Sequence, residues 1–117
     1  MRKAGRYWGY KMEYLKRITP VAHRDIAGIK SYIEKDKPNA AAKMANEIYA
    51  SFDLLQKNPN IGGSLKKKYD IDTDFLFWVV APYIVFFKLE GNYVGIYRVL
   101  DGRSDYLVTL GLKEKSK

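Results

Sequence analysis

The chain has 117 residues, a formal net charge of +8 and no cysteine, with 47% hydrophobic, 29% charged and 15% aromatic residues. That length supports one domain around one core, and the missing cysteine removes disulfides, thiolate nucleophiles and thiolate metal sites. With His23 the single histidine, a histidine-based zinc site and a Ser-His-Asp triad are nearly excluded, and no metal or cofactor is expected. The positive surplus favours an acidic partner, nucleic acid or acidic protein, without choosing between them. The longest apolar run, residues 79–87, contains Pro82 and is too short to span a bilayer. The basic start lacks the apolar region of a secretory signal. A cytoplasmic protein without a membrane partner is expected.

Residues 1–11 show neither helical nor strand periodicity and read as a basic extension upstream of Met12. Such a segment is either a tail or start-site remnant, or an arm that touches a partner. A single domain is expected over 12–117. Tyr14 to Thr19 alternates well enough for a short first strand. Thr19-Pro20 then suits a helix start, with threonine as N-cap and proline at the first helical position. Ala22, Ile26, Ile29 and Ile33 make one stripe on a helix ending near Asp36, and Lys37-Pro38-Asn39 restarts the chain. The second stripe is Ala41, Ala45, Ile48, Phe52 and Leu55, closed by the turn-rich residues 58–63. So short a connection between two amphipathic helices predicts an antiparallel hairpin.

The period then changes. Phe75 to Val80, Tyr83 to Leu89 and Tyr93 to Leu100 are rich in aromatic and β-branched residues and are separated by Ala81-Pro82 and Glu90-Gly91-Asn92. The expected fold class is therefore α+β, ordered β-α-α-β-β-β, with a helical hairpin packed on a small antiparallel sheet. A short segment with Leu107, Leu110 and Leu112 follows.

Candidate chemistry gathers at the last strand. Strict alternation puts Arg98 in the apolar row Val94, Ile96, Leu100, which predicts either a bulge near Arg98 or a cleft opening there. The arginine either pairs with Asp101 or Asp105, or serves a site. Arg103 lies in a turn at a strand end, where function concentrates. Tyr106, three residues on, is either a packing residue or a hydroxyl placed beside the Arg103 guanidinium. With an ordinary pKa of about 10, it is a poor base unless cations stabilise the phenolate. Lys66, Lys67 and Lys68 are either a solvated loop or phosphate contacts. His23 reads as a surface or cap-region histidine. The aromatic residues of the strands serve as core, as base-stacking positions or as a seat for a partner segment.

The stretch Pro82-Tyr83-Ile84-Val85-Phe86-Phe87, followed by Ile96-Tyr97-Arg98-Val99-Leu100-Asp101-Gly102-Arg103-Ser104-Asp105-Tyr106, resembles the C-terminal half of RelE/ParE toxins. The earlier Thr19-Pro20 start, the Tyr32-Ile33 before a charged turn, and Leu55 leading to Asn58-Pro59 agree with that pattern, so the resemblance covers roughly residues 14–112. It implies the same β-α-α-β-β-β fold and the toxin of a bacterial type II toxin–antitoxin module, associated with plasmid stabilisation and growth inhibition. It also implies a cognate antitoxin that wraps the toxin in a hetero-oligomer. Two branches are implied. ParE-like members poison DNA gyrase and are not known as enzymes. RelE-like members enter the ribosome and cleave mRNA. In the nuclease branch Arg103, Tyr106 and Arg98 would be catalytic, and Lys66, Lys67, Lys68, Arg98 and Arg103 would bind phosphate or target. Trp78, Tyr83, Phe87 and Arg98 would seat the antitoxin. Asp101 departs from the nuclease pattern, because relatives there often carry a histidine or another polar group. The long hairpin and the lack of an evident acid–base pair favour gyrase slightly. A non-toxic, basic nucleic-acid-binding module is the reading outside the family.

Overall fold

In the computed structural model of the chain, residues 13–115 are described, and the extension expected over 1–11 lies outside them. The elements run β1 (Leu15–Ile18), α1 (Pro20–Glu34), α2 (Pro38–Lys57), a single 3-10 turn at Pro59–Ile61, β2 (Gly63–Ser64) and α3 (Leu65–Tyr69). They continue as β3 (Leu76–Val80), β4 (Tyr83–Glu90), β5 (Tyr93–Asp101) and α4 (Tyr106–Thr109). The α+β architecture expected from the sequence is the architecture observed. The added pieces, β2, α3 and α4, are too short to carry a readable period.

The helix starts follow from local chemistry. Thr19 caps α1, its hydroxyl oxygen accepting from the Ala22 N–H at 3.1 Å while donating to the Tyr97 carbonyl at 3.0 Å. One side chain therefore sets both the beginning of α1 and its position against β5. Proline occupies the first turn of both α1 and α2, where its missing N–H leaves no helical bond unmade.

Sheet order is β1-β5-β4-β3-β2. The hairpin carries the chain from β1 to the far edge, and the β3-β4-β5 meander walks back until β5 lies beside β1. That return makes the β1–β5 pair parallel while the other pairs are antiparallel. The antiparallel meander expected from the sequence is β3-β4-β5, and the parallel β1–β5 edge adds to it a pairing whose partners are too far apart in sequence for a turn signal to reveal.

The register slips between Phe86 and Phe87: Phe86 pairs with Arg98 and Phe87 with Ile96, leaving Tyr97 as the extra residue. This is the bulge that an arginine in an apolar row predicted. It corrects the alternation beyond it. Val94, Ile96 and then Val99 join the core under the helices, whereas Leu100 goes to the other face with Tyr97.

The main core is Ile26, Ile48, Phe52, Leu55, Val85, Phe87, Val94, Ile96 and neighbours, between the hairpin and one sheet face. Each such side chain contributes about 1.5–3 kcal/mol by leaving water. A smaller cluster on the opposite face centres on Leu65, Phe75 and Phe86, roofed by Tyr106, Leu107, Leu110 and Leu112. Glycine is required where β2 begins. A Cβ on Gly62 would lie 2.4 Å from the Phe87 ring, so only a bare backbone lets that ring fill the main core. None of the described helices is long and apolar enough to cross a membrane.

Candidate functional site

Arg98 sits just past the bulge, and its partner is neither Asp101 nor Asp105. Asp25 of α1 takes its Nε at 2.8 Å and its Nη2 at 3.0 Å, and also accepts the Val99 backbone N–H at 3.0 Å. The pair is largely shielded, with side-chain exposures of 28% for Arg98 and 13% for Asp25. The bond to Asp25 holds the guanidinium pKa above its ordinary value. A bulge turns an N–H away from the strand ladder, and Asp25 satisfies the one at Val99. The sequence expectation looked for a local acid, whereas α1 supplies one from 73 positions away. Asp25 was missed. Its signal was a carboxylate between Ala22, Ile26 and Ile29 on the apolar side of an amphipathic helix.

Arg103 is exposed at the end of β5 and is also engaged. Asp101 accepts its backbone N–H at 2.8 Å, its Nε at 2.9 Å and its Nη2 at 2.7 Å. The guanidinium bonds hold the Asp101 carboxyl down at about 2. The Asp101 that departs from the nuclease pattern thus neutralises the arginine that pattern would use.

Tyr106 does not place its hydroxyl on Arg103. It bonds the hydroxyl of Tyr69, at the end of α3, and its ring packs on Phe86 with centroids 5.1 Å apart. Burial, followed by the Tyr69 bond, pushes its pKa up to about 12. Of the two sequence alternatives, the packing role is the one that this geometry fits, and the surroundings favour the neutral phenol. His23 bonds Tyr49 of α2 at 2.8 Å on the helical hairpin.

Lys66, Lys67 and Lys68 are exposed on α3 rather than in a loop. Ser64 caps that turn, accepting the Lys67 N–H at 3.2 Å, and Asp70 ends it with a φ of 55°. Lys68 lies 5.5 Å from the Phe77 ring, and Lys88 lies 4.4 Å from Phe75 and 5.2 Å from Tyr97. Cations and aromatic rings therefore alternate on the face away from the hairpin.

Of the residues expected to seat a partner, Tyr83 is 7% exposed and walls an open groove of about 440 Å³. The groove runs between α1 and the end of the sheet, where Arg24, Gly28, Tyr32, Val99, Asp101 and Arg103 also line it. Burial, followed by the charge of Asp101, holds the Tyr83 hydroxyl pKa above its ordinary value. Trp78 is half-buried against the main core on β3, and β2 pairs only with Leu76 and Phe77, leaving Trp78 to Val80 beyond its reach. Phe87 is fully buried beneath the hairpin. It belongs to the main core and presents no surface of its own. The structure brings Tyr83, Asp101 and Arg103 into one groove and holds Tyr106 in the opposite cluster.

Comparison with curated proteins finds no significant relative. Among solved structures, the chain is similar to one of a chromosomal ParDE toxin–antitoxin system from P. aeruginosa, with 18% identity and a TM-score of 0.66. That match covers 78% of this chain and 98% of the other. It is also similar to one of the toxin–antitoxin complex RelBE2 from Mycobacterium tuberculosis, with 20% identity and a TM-score of 0.52, covering 79% and 94% respectively. At those identities the matches establish the shared fold. The sequence itself matches the family model of the ParE toxin of the type II toxin–antitoxin system parDE over residues 17–106, and the chain accordingly belongs to that toxin family, within the RelE/ParE superfamily.

Proposed function

We propose that this toxin acts by binding and inhibiting DNA gyrase, without chemistry of its own, until a cognate antitoxin covers it. The observation that carries this reading is the disposition of its candidate catalytic groups. Arg98 is held by Asp25, Arg103 by Asp101, and Tyr106 is a neutral phenol bonded to Tyr69. Cleaving RNA at the 2′-OH needs a base near neutral pH beside cations that can receive a phosphate. A phenol with a pKa of about 12 and a carboxylate held near 2 suit neither half of that task. Lys66, Lys67 and Lys68, exposed on α3, then serve as target-binding cations, while Arg103 stays with Asp101. The antitoxin seats on the Tyr83 groove and along β3 at Trp78, where an added strand has open backbone to pair with.

The second reading is RelE-like cleavage of mRNA on the ribosome. What favours it is the row of Lys68, Lys88, Phe77 and Tyr97 on the open sheet face, since rings and cations together suit a single strand.

Pulse labelling after inducing the chain without its antitoxin separates the two. Early loss of thymidine incorporation with translation spared is expected. Early loss of methionine incorporation instead would move the target to the ribosome.

A further inference from the structure

We infer that the gap left by Gly28 in the outer row of α1 is the seat for a bulky apolar side chain of the antitoxin, with a carboxylate of the same segment paired to Arg24. The inference rests on the antitoxin reading above and gives that partner a residue-level site.

Arg24, Gly28 and Tyr32 follow one another at a spacing of four, so they form a single row along α1. Glycine is among the poorest residues for a helix interior. A close neighbouring atom that leaves no room for a side chain is one reason for glycine at such a position, yet a Cβ on Gly28 would meet nothing within 4 Å. No contact within the described chain requires the gap. It opens instead onto the groove of about 440 Å³, whose floor includes Ile29, Val99 and Tyr83. On one side stands Tyr32, 72% exposed, a large ring left in water beside an apolar floor. Arg24 stands on the other.

The charges specify what accompanies the apolar group. Two carboxylates reach the groove, and both are already taken, Asp25 by Arg98 and the Val99 N–H, and Asp101 by Arg103. Arg24 has no ion pair among the described residues. The groove therefore presents an apolar notch beside an uncompensated guanidinium, complementary to an aliphatic or aromatic side chain with an acidic residue about one helical turn away. A phosphate backbone is a poorer occupant, because it would leave the aliphatic floor uncovered.

The test titrates the purified chain with its cognate antitoxin, alongside growth on induction with and without that antitoxin. Gly28→Leu fills the notch, and Arg24→Glu reverses the rim charge. Both are expected to keep the wild-type melting temperature within a few degrees and to stay toxic alone. Each should weaken antitoxin binding tenfold or more, so that co-expression no longer restores growth. Gly28→Ala, which fills less, should lie between. Unchanged affinity in both Gly28→Leu and Arg24→Glu would overturn the inference. So would lost toxicity with antitoxin binding intact, which would give the groove to the target. Should Gly28→Leu fail to fold, Arg24→Glu and Tyr32→Ala decide the matter by the same titration. A wild-type chain without toxicity would remove the gyrase reading, while the antitoxin titration would still report on the notch.

Discussion

The carboxylate of Asp25 grips two nitrogens of Arg98, at 2.8 and 3.0 Å, and in the same gesture accepts the Val99 N–H at the bulge of β5. This contact fixes α1 on the sheet at the point where the strand changes which residues face the core. It also removes Arg98 from the pool of cations offered to a phosphate.

Removing the Asp25 clamp should cost stability. Asp25→Asn should lower unfolding free energy by about 1.5–3 kcal/mol, the range for hydrogen bonds to charged groups. In urea denaturation, the Asp25→Ala and Arg98→Ala effects should be non-additive, because each leaves the other partner stranded. Additive effects would show that the two residues act independently.

Asp101 predicts a specific acid response. Its folded pKa of about 2 lies below its ordinary value of 3.8, so its contribution is fully present above about pH 4 and is lost as pH falls towards 2. Stability measured across that window should fall less steeply in Asp101→Asn than in wild type. A parallel loss in both would assign the acid response to other carboxylates.

Tyr106→Phe removes a hydroxyl bond and leaves the ring on Phe86. The expected cost is about 0.5–1.5 kcal/mol, with toxicity retained if no chemistry passes through the phenol. The same group gives a spectroscopic check. Its raised pKa contributes stability below pH 10 that is lost as pH rises towards 12, so in absorbance titration of the folded protein Tyr106→Phe should remove amplitude from the late-ionising phenols, among which Tyr83 and Tyr97 remain. Abolished toxicity in a folded Tyr106→Phe would favour the nuclease branch.

Phe87 and Gly62 test the main core where the ring packs against bare backbone. Phe87→Ala should cost about 3–5 kcal/mol, as large-to-small core changes do. Gly62→Ala should cost about 1–3 kcal/mol by driving a Cβ against the Phe87 ring. Thermal melts of both variants check this. A stable Phe87→Ala with weakened antitoxin binding would mean that Phe87 is reached directly by the partner.

The fold was legible where its signals were local. The stripes Ala22-Ile26-Ile29-Ile33 and Ala41-Ala45-Ile48-Phe52-Leu55 face the core, and the three aromatic segments became β3, β4 and β5 nearly to the residue. Even the bulge could be anticipated, because an arginine breaks the apolar row at 98. Less legible was whatever joins distant segments. The β1–β5 pairing is parallel and has no hairpin to announce it, and the two-residue β2 has no period. The Asp25–Arg98 and Tyr69–Tyr106 contacts depend on how elements dock, 73 and 37 positions apart. The sequence therefore offers cations and aromatic residues without their partners, while the structure shows which acids hold Arg98 and Arg103.

The most direct test of the gyrase reading is a supercoiling assay with purified gyrase and this chain, run beside ribosomes programmed with mRNA. The predicted result is loss of supercoiling at near-stoichiometric toxin, reversed by the antitoxin and retained in Tyr106→Phe, with the mRNA left intact. Cleaved mRNA on the ribosome, with supercoiling unaffected, would contradict it.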